Sequence, residues 1–245
     1  IIVFSGADMP IYRIADLNVE VNPKFKICRK RLESYAVKSN ESGKTDIAIS
    51  VSDDEIRERL RLSDNLSEQG AEDVLILSKF CNAVLDGFDG FFFHSSCLEL
   101  DGEGYVFSAV SGTGKSTHTA LWRRHFGNRV TMINDDKPVI RKCDEKFYAY
   151  GAPWMGKADI GTNTKAPVKA VYILQRAEEN TAVRVLPSQV MKQLLEATVI
   201  DVERSRMEKL LELLDEFFKE TPLFLLGCNM DESAVMTAYN AANGG

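Results

Sequence analysis

Tyr105-Val106-Phe107-Ser108-Ala109-Val110-Ser111-Gly112-Thr113-Gly114-Lys115-Ser116-Thr117 is the stretch on which the reading of this chain turns. Tyr105–Val110 is apolar and reads as a strand, and Lys115–Phe126 reads as a helix. Between them, Gly112 and Gly114 let the backbone bend so that successive N–H groups face inward, while the helix start adds a partial positive charge. Strand, glycine turn and helix in this order are the context in which a G-x-G-K-[ST] string cradles phosphate as a P-loop. Ser111, Gly112, Thr113, Gly114, Lys115, Ser116 and Thr117 are therefore the expected nucleotide-binding residues. Lys115 would reach the β- and γ-phosphates, and Ser116 would place its hydroxyl on magnesium. The full pattern has a further glycine five residues before Gly114, where this chain carries Ala109.

Downstream, the strand candidate Arg129–Asn134 runs into Asn134-Asp135-Asp136. A carboxylate at the end of a neighbouring strand completes the magnesium shell in P-loop enzymes. Two adjacent carboxylates suggest divided labour, one holding the metal and the other accepting a proton from an attacking hydroxyl. Upstream, Phe91–Leu100 reads as an apolar strand containing His94, joined to Tyr105–Val110 by the hairpin turn Asp101-Gly102-Glu103-Gly104. A histidine in such a run is by itself a packed side chain as readily as a catalyst. His118 and His125, on the helix after the loop, receive no role.

Further strands are expected at Pro138–Arg141, Phe147–Tyr150, Lys169–Leu174, Arg184–Leu186 and Leu223–Leu226. Helices are expected at Ser188–Thr198, at Glu203–Lys219 and from Asp231 onward. In the second of these, Met207, Leu210, Leu211, Leu214, Phe217 and Phe218 recur at helical spacing and should face the core. Before residue 90 the strand-like runs are Ile1–Phe4, Asn18–Val21 and Asp46–Val51. The capping-box string Ser52-Asp53-Asp54-Glu55 should open a short helix through Leu62; Ser63–Gly70 reads as loop and Ala71–Leu85 as a mostly apolar helix. No boundary interrupts the chain, so the expectation is one α/β domain over residues 1–245. Residues 1–90 would form a β-rich N-terminal lobe, and residues 91–245 the P-loop core, with a mixed sheet, and the C-terminal helices.

Bulk properties narrow the function. The 245 residues are 44% hydrophobic and 27% charged, as in ordinary globular proteins, and the net charge is −6. An acidic balance argues against a general nucleic-acid binder, whose affinity for phosphate backbones needs a basic surface. The five cysteines are scattered and never form a C-x-x-C pair, which fits reduced cytoplasmic thiols rather than a disulfide framework or a zinc site. No apolar run is long enough to span a bilayer, and no membrane partner is expected. The chain opens at Ile1 rather than methionine, so residues missing upstream would qualify the cytoplasmic reading.

The run from His94-Ser95-Ser96 through Ser111–Thr117 to Asn134-Asp135-Asp136 resembles the HPr kinase/phosphorylase-like kinases, a group that shares its P-loop core with the phosphoenolpyruvate carboxykinases. The later Tyr150-Gly151-Ala152-Pro153-Trp154-Met155-Gly156-Lys157 and Gly161-Thr162-Asn163 resemble a less-characterised bacterial subgroup of them. The resemblance implies an HPr kinase/PEP carboxykinase-like α/β fold and a magnesium- and ATP-dependent transfer to a serine-like hydroxyl in a protein, peptide or small molecule. It pairs His94 with Asp135, which would serve as base with Lys115 as the charge-stabilising group, and leaves Asp136 with Ser116 as metal ligands. Ala109 departs from the family pattern, as does the missing glutamate- and arginine-containing signature after the acidic pair, so recognition of the HPr protein itself is not carried over.

Gly151–Asn163 is dense in glycine and polar groups, and Trp154, Lys157 and Asn163 are its candidate substrate contacts, by stacking, charge neutralisation and hydrogen bonding. Trp154 packed in the core is the competing expectation. Two other functions stay open: a carboxykinase-type enzyme of phosphoenolpyruvate metabolism, and a nucleotide-binding module without turnover. Homo-oligomers are compatible with everything above.

Overall fold

The first two strands already show how local chemistry shapes the chain. In the computed structural model, which describes residues 9–38, 43–110, 112–198 and 204–244, β1 (Ile11–Ile14) and β2 (Leu17–Val21) form an antiparallel hairpin. Its turn is Ala15-Asp16, both with positive φ, the geometry that matches the twist of the flanking strands. β3 (Ile47–Ile49) adds parallel to β2. Around this small sheet lie α1 (Lys26–Leu32), α2 (Asp53–Arg61) and α3 (Glu68–Gly87). The Ser52 hydroxyl accepts from Glu55 N while the Glu55 carboxylate accepts from Ser52 N, the reciprocal cap the sequence announced. The Ser67 hydroxyl caps α3 by accepting from Gly70 N, without the reciprocal bond, extending that helix back into the segment expected to be loop. The β-rich expectation for residues 1–90 is corrected. The helices have 7, 9 and 20 residues against strands of 4, 5 and 3, so this part is mainly helical. The expected strand Ile1–Phe4 lies outside the described residues.

The larger sheet has nine strands. β4 (Gly90–Phe92), β5 (Ser95–Leu100) and β6 (Glu103–Ser108) come first, followed by α4 (Lys115–Phe126) and β7 (Val130–Asn134). β8 (Val139–Cys143), β9 (Lys146–Tyr150), β10 (Lys165–Arg176) and β11 (Thr181–Arg184) continue it. α5 (Met191–Ala197), α6 (Arg204–Glu220), β12 (Leu223–Cys228) and α7 (Ser233–Ala242) complete the chain. The path is β4-β8-β9-β10-β6-β5-β7, with β12 on β10 and β11 on β12. Residues 165–167 of β10 pair antiparallel with β9, whereas its later residues pair parallel with β6 and β12. The expected strand Phe91–Leu100 is therefore two strands. At the break, Phe93 N donates to Pro138 O and His94 N to Ala197 O, so the backbone is satisfied as it crosses from one part of the sheet to another.

Both faces of this sheet are covered. Val106, Val171 and Ile173 pack with Leu210, Leu214 and Phe217 of α6 on one side. Phe107, Tyr172 and Leu174 pack with Trp122 of α4 and with Val235 and Ala238 of α7 on the other. Such double burial explains why these strands read as unbroken apolar runs. The α6 stripe is narrower than expected: Met207 and Leu211 are 38% and 42% exposed, and Leu213 is buried in their stead. The helix start expected at Glu203 lies outside the described residues. No described helix is long and apolar enough to cross a membrane.

A glycine loop and an acidic turn at one sheet edge

Strand directions decide what meets at this edge. β5 runs antiparallel to β6 and to β7, so its first residue lies beside their last ones: Ser95 faces Ser108, and Cys97 faces Asn134. β10 runs parallel to β6, which brings Arg176 to the same edge. His94, the loop at 109–114 and the acidic turn 134–137 thus converge although they are far apart in sequence.

Gly112 and Gly114 have φ of 83° and 125°, and a Cβ on either would meet nothing within 4 Å. Backbone torsion, not crowding, demands glycine at both. Gly114 caps α4 without a side-chain hydrogen bond, and the first turn holds no acidic residue, so its N–H groups remain available to an anion. Arg176 grips the loop from behind, Nη2 donating to Gly112 O at 2.7 Å and Nε to Thr113 O at 3.4 Å. Lys115 arches back over the loop, donating to Ala109 O at 3.3 Å, and its Nζ lies 3.4 Å from His94 Nε2. Burial lowers the Lys115 pKa, with Asp136 pulling the other way and Lys137 adding to the lowering. Ser116 and Thr117 are exposed at the helix start, and Ser111 lies outside the described residues.

The acidic turn is built by Asn134, a wholly buried residue at the end of β7. Its Oδ1 accepts from Asp136 N at 2.8 Å and Lys137 N at 2.7 Å, closing an Asx turn. Its Nδ2 donates to Ala152 O at 2.9 Å, with Trp154 O a second acceptor at 3.4 Å, tying down the segment after β9. Asp135, 6% exposed, accepts Gly156 N at Oδ1 over 2.7 Å. Burial raises its pKa, against the lowering by the Gly156 N–H. Asp136 behaves oppositely. Burial again opposes its charge, but hydrogen bonds from His94 and Lys137 outweigh it and bring the pKa down to about 2.

The structure corrects two readings here. His94 meets Asp136, not Asp135: Nε2 lies 3.0 Å from Asp136 Oδ1. Both Asp136 oxygens are engaged, the second by Lys137 Nζ, whereas among the described residues the Asp135 carboxylate accepts only from backbone N–H groups, those of Gly156 and of Asp135 itself. The pairing depends on the turn: Asn134 folds the chain so that Asp136 points back toward β5 while Asp135 faces Gly156. Trp154 is no substrate contact either. It is 3% exposed, stacked on Phe80 and edge-on to Phe92, each with centroids 5.8 Å apart. Asn163 donates to Arg13 O at 3.1 Å, which ties its loop to the first hairpin. Lys157 is exposed on that loop.

Lys137, Arg176, Gly156 and the clamping role of Asn134 escaped the sequence reading. Asn134 and Lys137 flank the acidic pair and were in view, as was the segment that holds Gly156, but Arg176 reaches the site only through the sheet. Among the described residues no group of three or more His, Cys, Asp and Glu gathers to hold a metal. Magnesium does not require one, because it keeps several waters and takes one or two carboxylates together with substrate phosphates. The exposed Ser116 hydroxyl and the acidic pair are donors of that kind.

No known protein-family profile matches the chain. No curated protein matches it. Among solved structures it is similar to the Hpr(Ser) kinase/phosphatase from Coxiella burnetii, with 13% identity over 62% of this chain and 99% of that one, at a TM-score of 0.36.

Proposed function

We propose that this chain is a magnesium- and ATP-dependent phosphotransferase acting on a hydroxyl acceptor. The observation that carries the reading is the linkage of the glycine loop to the acidic turn through His94, whose Nε2 lies 3.4 Å from Lys115 Nζ and 3.0 Å from Asp136 Oδ1. A phosphate cradle with carboxylates fixed beside its lysine is the arrangement that phosphoryl transfer uses, since catalysis there rests on positioning and charge neutralisation.

Asp135 takes the acceptor proton. Its Oδ1 is held by Gly156 N–H, no side chain among the described residues donates to it, and burial makes it a stronger base than an ordinary carboxylate. The acceptor oxygen forms its bond to the γ-phosphorus as the bond to the β-phosphate oxygen breaks, and ADP leaves. Lys115 supplies positive charge at the transferring group. Asp136 anchors His94 and Lys137, and so sets the position of the cations around that group. Ser116 and Asp136 would hold magnesium. Bound magnesium neutralises charge on the β- and γ-phosphate oxygens.

Incubation with γ-labelled ATP, magnesium and a panel of hydroxyl acceptors tests this. Label should pass to an acceptor, and Lys115→Ala should abolish both transfer and the nucleotide-induced rise in melting temperature. Asp135→Asn should keep that rise and lose transfer by about a hundredfold or more. Nucleotide binding with no labelled acceptor at all would convict the reading and leave a binding module.

A further inference from the structure

We infer that α1 forms the anion-recognising wall of the acceptor site, and that the acceptor is a small hydroxy compound bearing a carboxylate or phosphate held by Lys30 and Arg31. This rests on the reading of Asp135 as the acceptor's base.

A cleft of about 490 Å³ lies between α1 and the segment after β9, lined among others by Lys30, Arg31, Ser34, Gly156 and Asp159. It opens beside the acidic turn, because Gly156 is both a lining residue and the donor to Asp135 Oδ1 at 2.7 Å. A Cβ built on Gly156 would stand 3.1 Å from Asp135 Oδ2, so glycine here leaves the space next to that oxygen clear. The wall opposite has an unusual composition. Cys28, Leu32 and Tyr35 are buried in the core, as a helix face repeating at four and three residues should be. Ile27, Lys30, Arg31 and Ser34 follow the same spacing on another face, and that face borders the cleft.

Two cations on one face of a short helix, in a chain of net charge −6, need a physical reason. Arg31 is steadied by Asp73, Nε to Oδ1 at 3.4 Å. Lys30 has no ion pair among the described residues. A held guanidinium beside a movable ammonium is suited to a carboxylate or phosphate, the first by its planar fork and the second as a point charge. Asp159, on the facing segment, carries the one negative charge among these lining residues, and it disfavours acceptors with a second anionic group at that end. With the anionic group on α1, the hydroxyl is left to point across the cleft toward Asp135.

Calorimetric titration of the full chain, loaded with a non-hydrolysable ATP analogue and magnesium, tests the assignment with glycerate, glycerol 3-phosphate and the uncharged glyceramide. The two anions should bind, whichever is preferred naming the group, and glyceramide should not. Lys30→Glu, at an exposed position, should weaken anion binding tenfold or more; Arg31→Lys should weaken it less. Equal binding of anions and glyceramide, no binding of either anion, or indifference to Lys30→Glu overturns the inference. The γ-label assay separates the two readings. Transfer to neutral alcohols with Lys30→Glu unaffected keeps the kinase and removes the α1 site. Anion binding lost in Lys30→Glu without any transfer keeps the site and removes the kinase.

Discussion

Asp135 and Asp136 are adjacent, equally acidic in isolation, and driven apart by their surroundings. Asp136 has its pKa lowered from 3.8 to about 2. Its contribution to stability is present above the ordinary carboxylate range and is lost as pH falls from near 4 through 2. Asp135 is raised instead, so its charge weakens the fold at neutral pH, and the sign of its contribution reverses. Asp135→Asn should therefore leave the melting temperature at pH 7 unchanged or higher, since an asparagine Oδ1 still accepts Gly156 N–H. Differential scanning calorimetry checks this, and a fall of several degrees would refute it. The acidic pair itself was legible, because carboxylates at the end of a strand following a glycine loop carry a mechanism. Their division was not legible. It depends on which way Asn134 turns the chain and on Lys137, and a lone lysine before proline carries no signal of its own.

At the scale of elements, two glycines set close approaches in the segment between β9 and β10. A Cβ on Gly151 would come within 2.0 Å of Thr162 O, and one on Gly156 within 3.1 Å of Asp135 Oδ2. The first position is demanded by closure of the segment and the second by access to the carboxylate. Gly156→Ala should accordingly keep nucleotide affinity and reduce transfer by roughly tenfold, as a small misplacement at a reacting group does; steady-state kinetics with varied ATP measures both. Unchanged transfer would show that Asp135 Oδ2 does not face the acceptor. The helix Lys115–Phe126 was readable to the residue because Gly114 and Gly127 bound it. The break between β4 and β5 was not. Both strands are buried, and so are Ser95 and Ser96 at the start of β5, so the polar run from His94 to Ser96 does not read as a division.

For the whole molecule, the N-terminal elements and the large sheet share one core. Ile14, Val19 and Tyr35 belong to the same buried cluster as Phe92, Val139 and Trp154. Trp154→Ala should cost about 3–5 kcal/mol, as truncation of a large buried aromatic does, with a single unfolding transition in denaturant. A loss under about 1 kcal/mol would return Trp154 to the surface. Of the three helices before residue 90 only α1 was hidden, because it is charged apart from Ile27, Cys28 and Leu32, and it forms through tertiary packing more than propensity. Strand β10 has a mechanical consequence. Its twelve residues make a rod of about 40 Å. At one end Lys165 pairs with Asp16 in the turn of the first hairpin, and at the other Arg176 holds the glycine-loop carbonyls. A rod pinned at both ends passes a push along its length instead of absorbing it, so the glycine loop takes its position from a lever whose handle is the turn between β1 and β2.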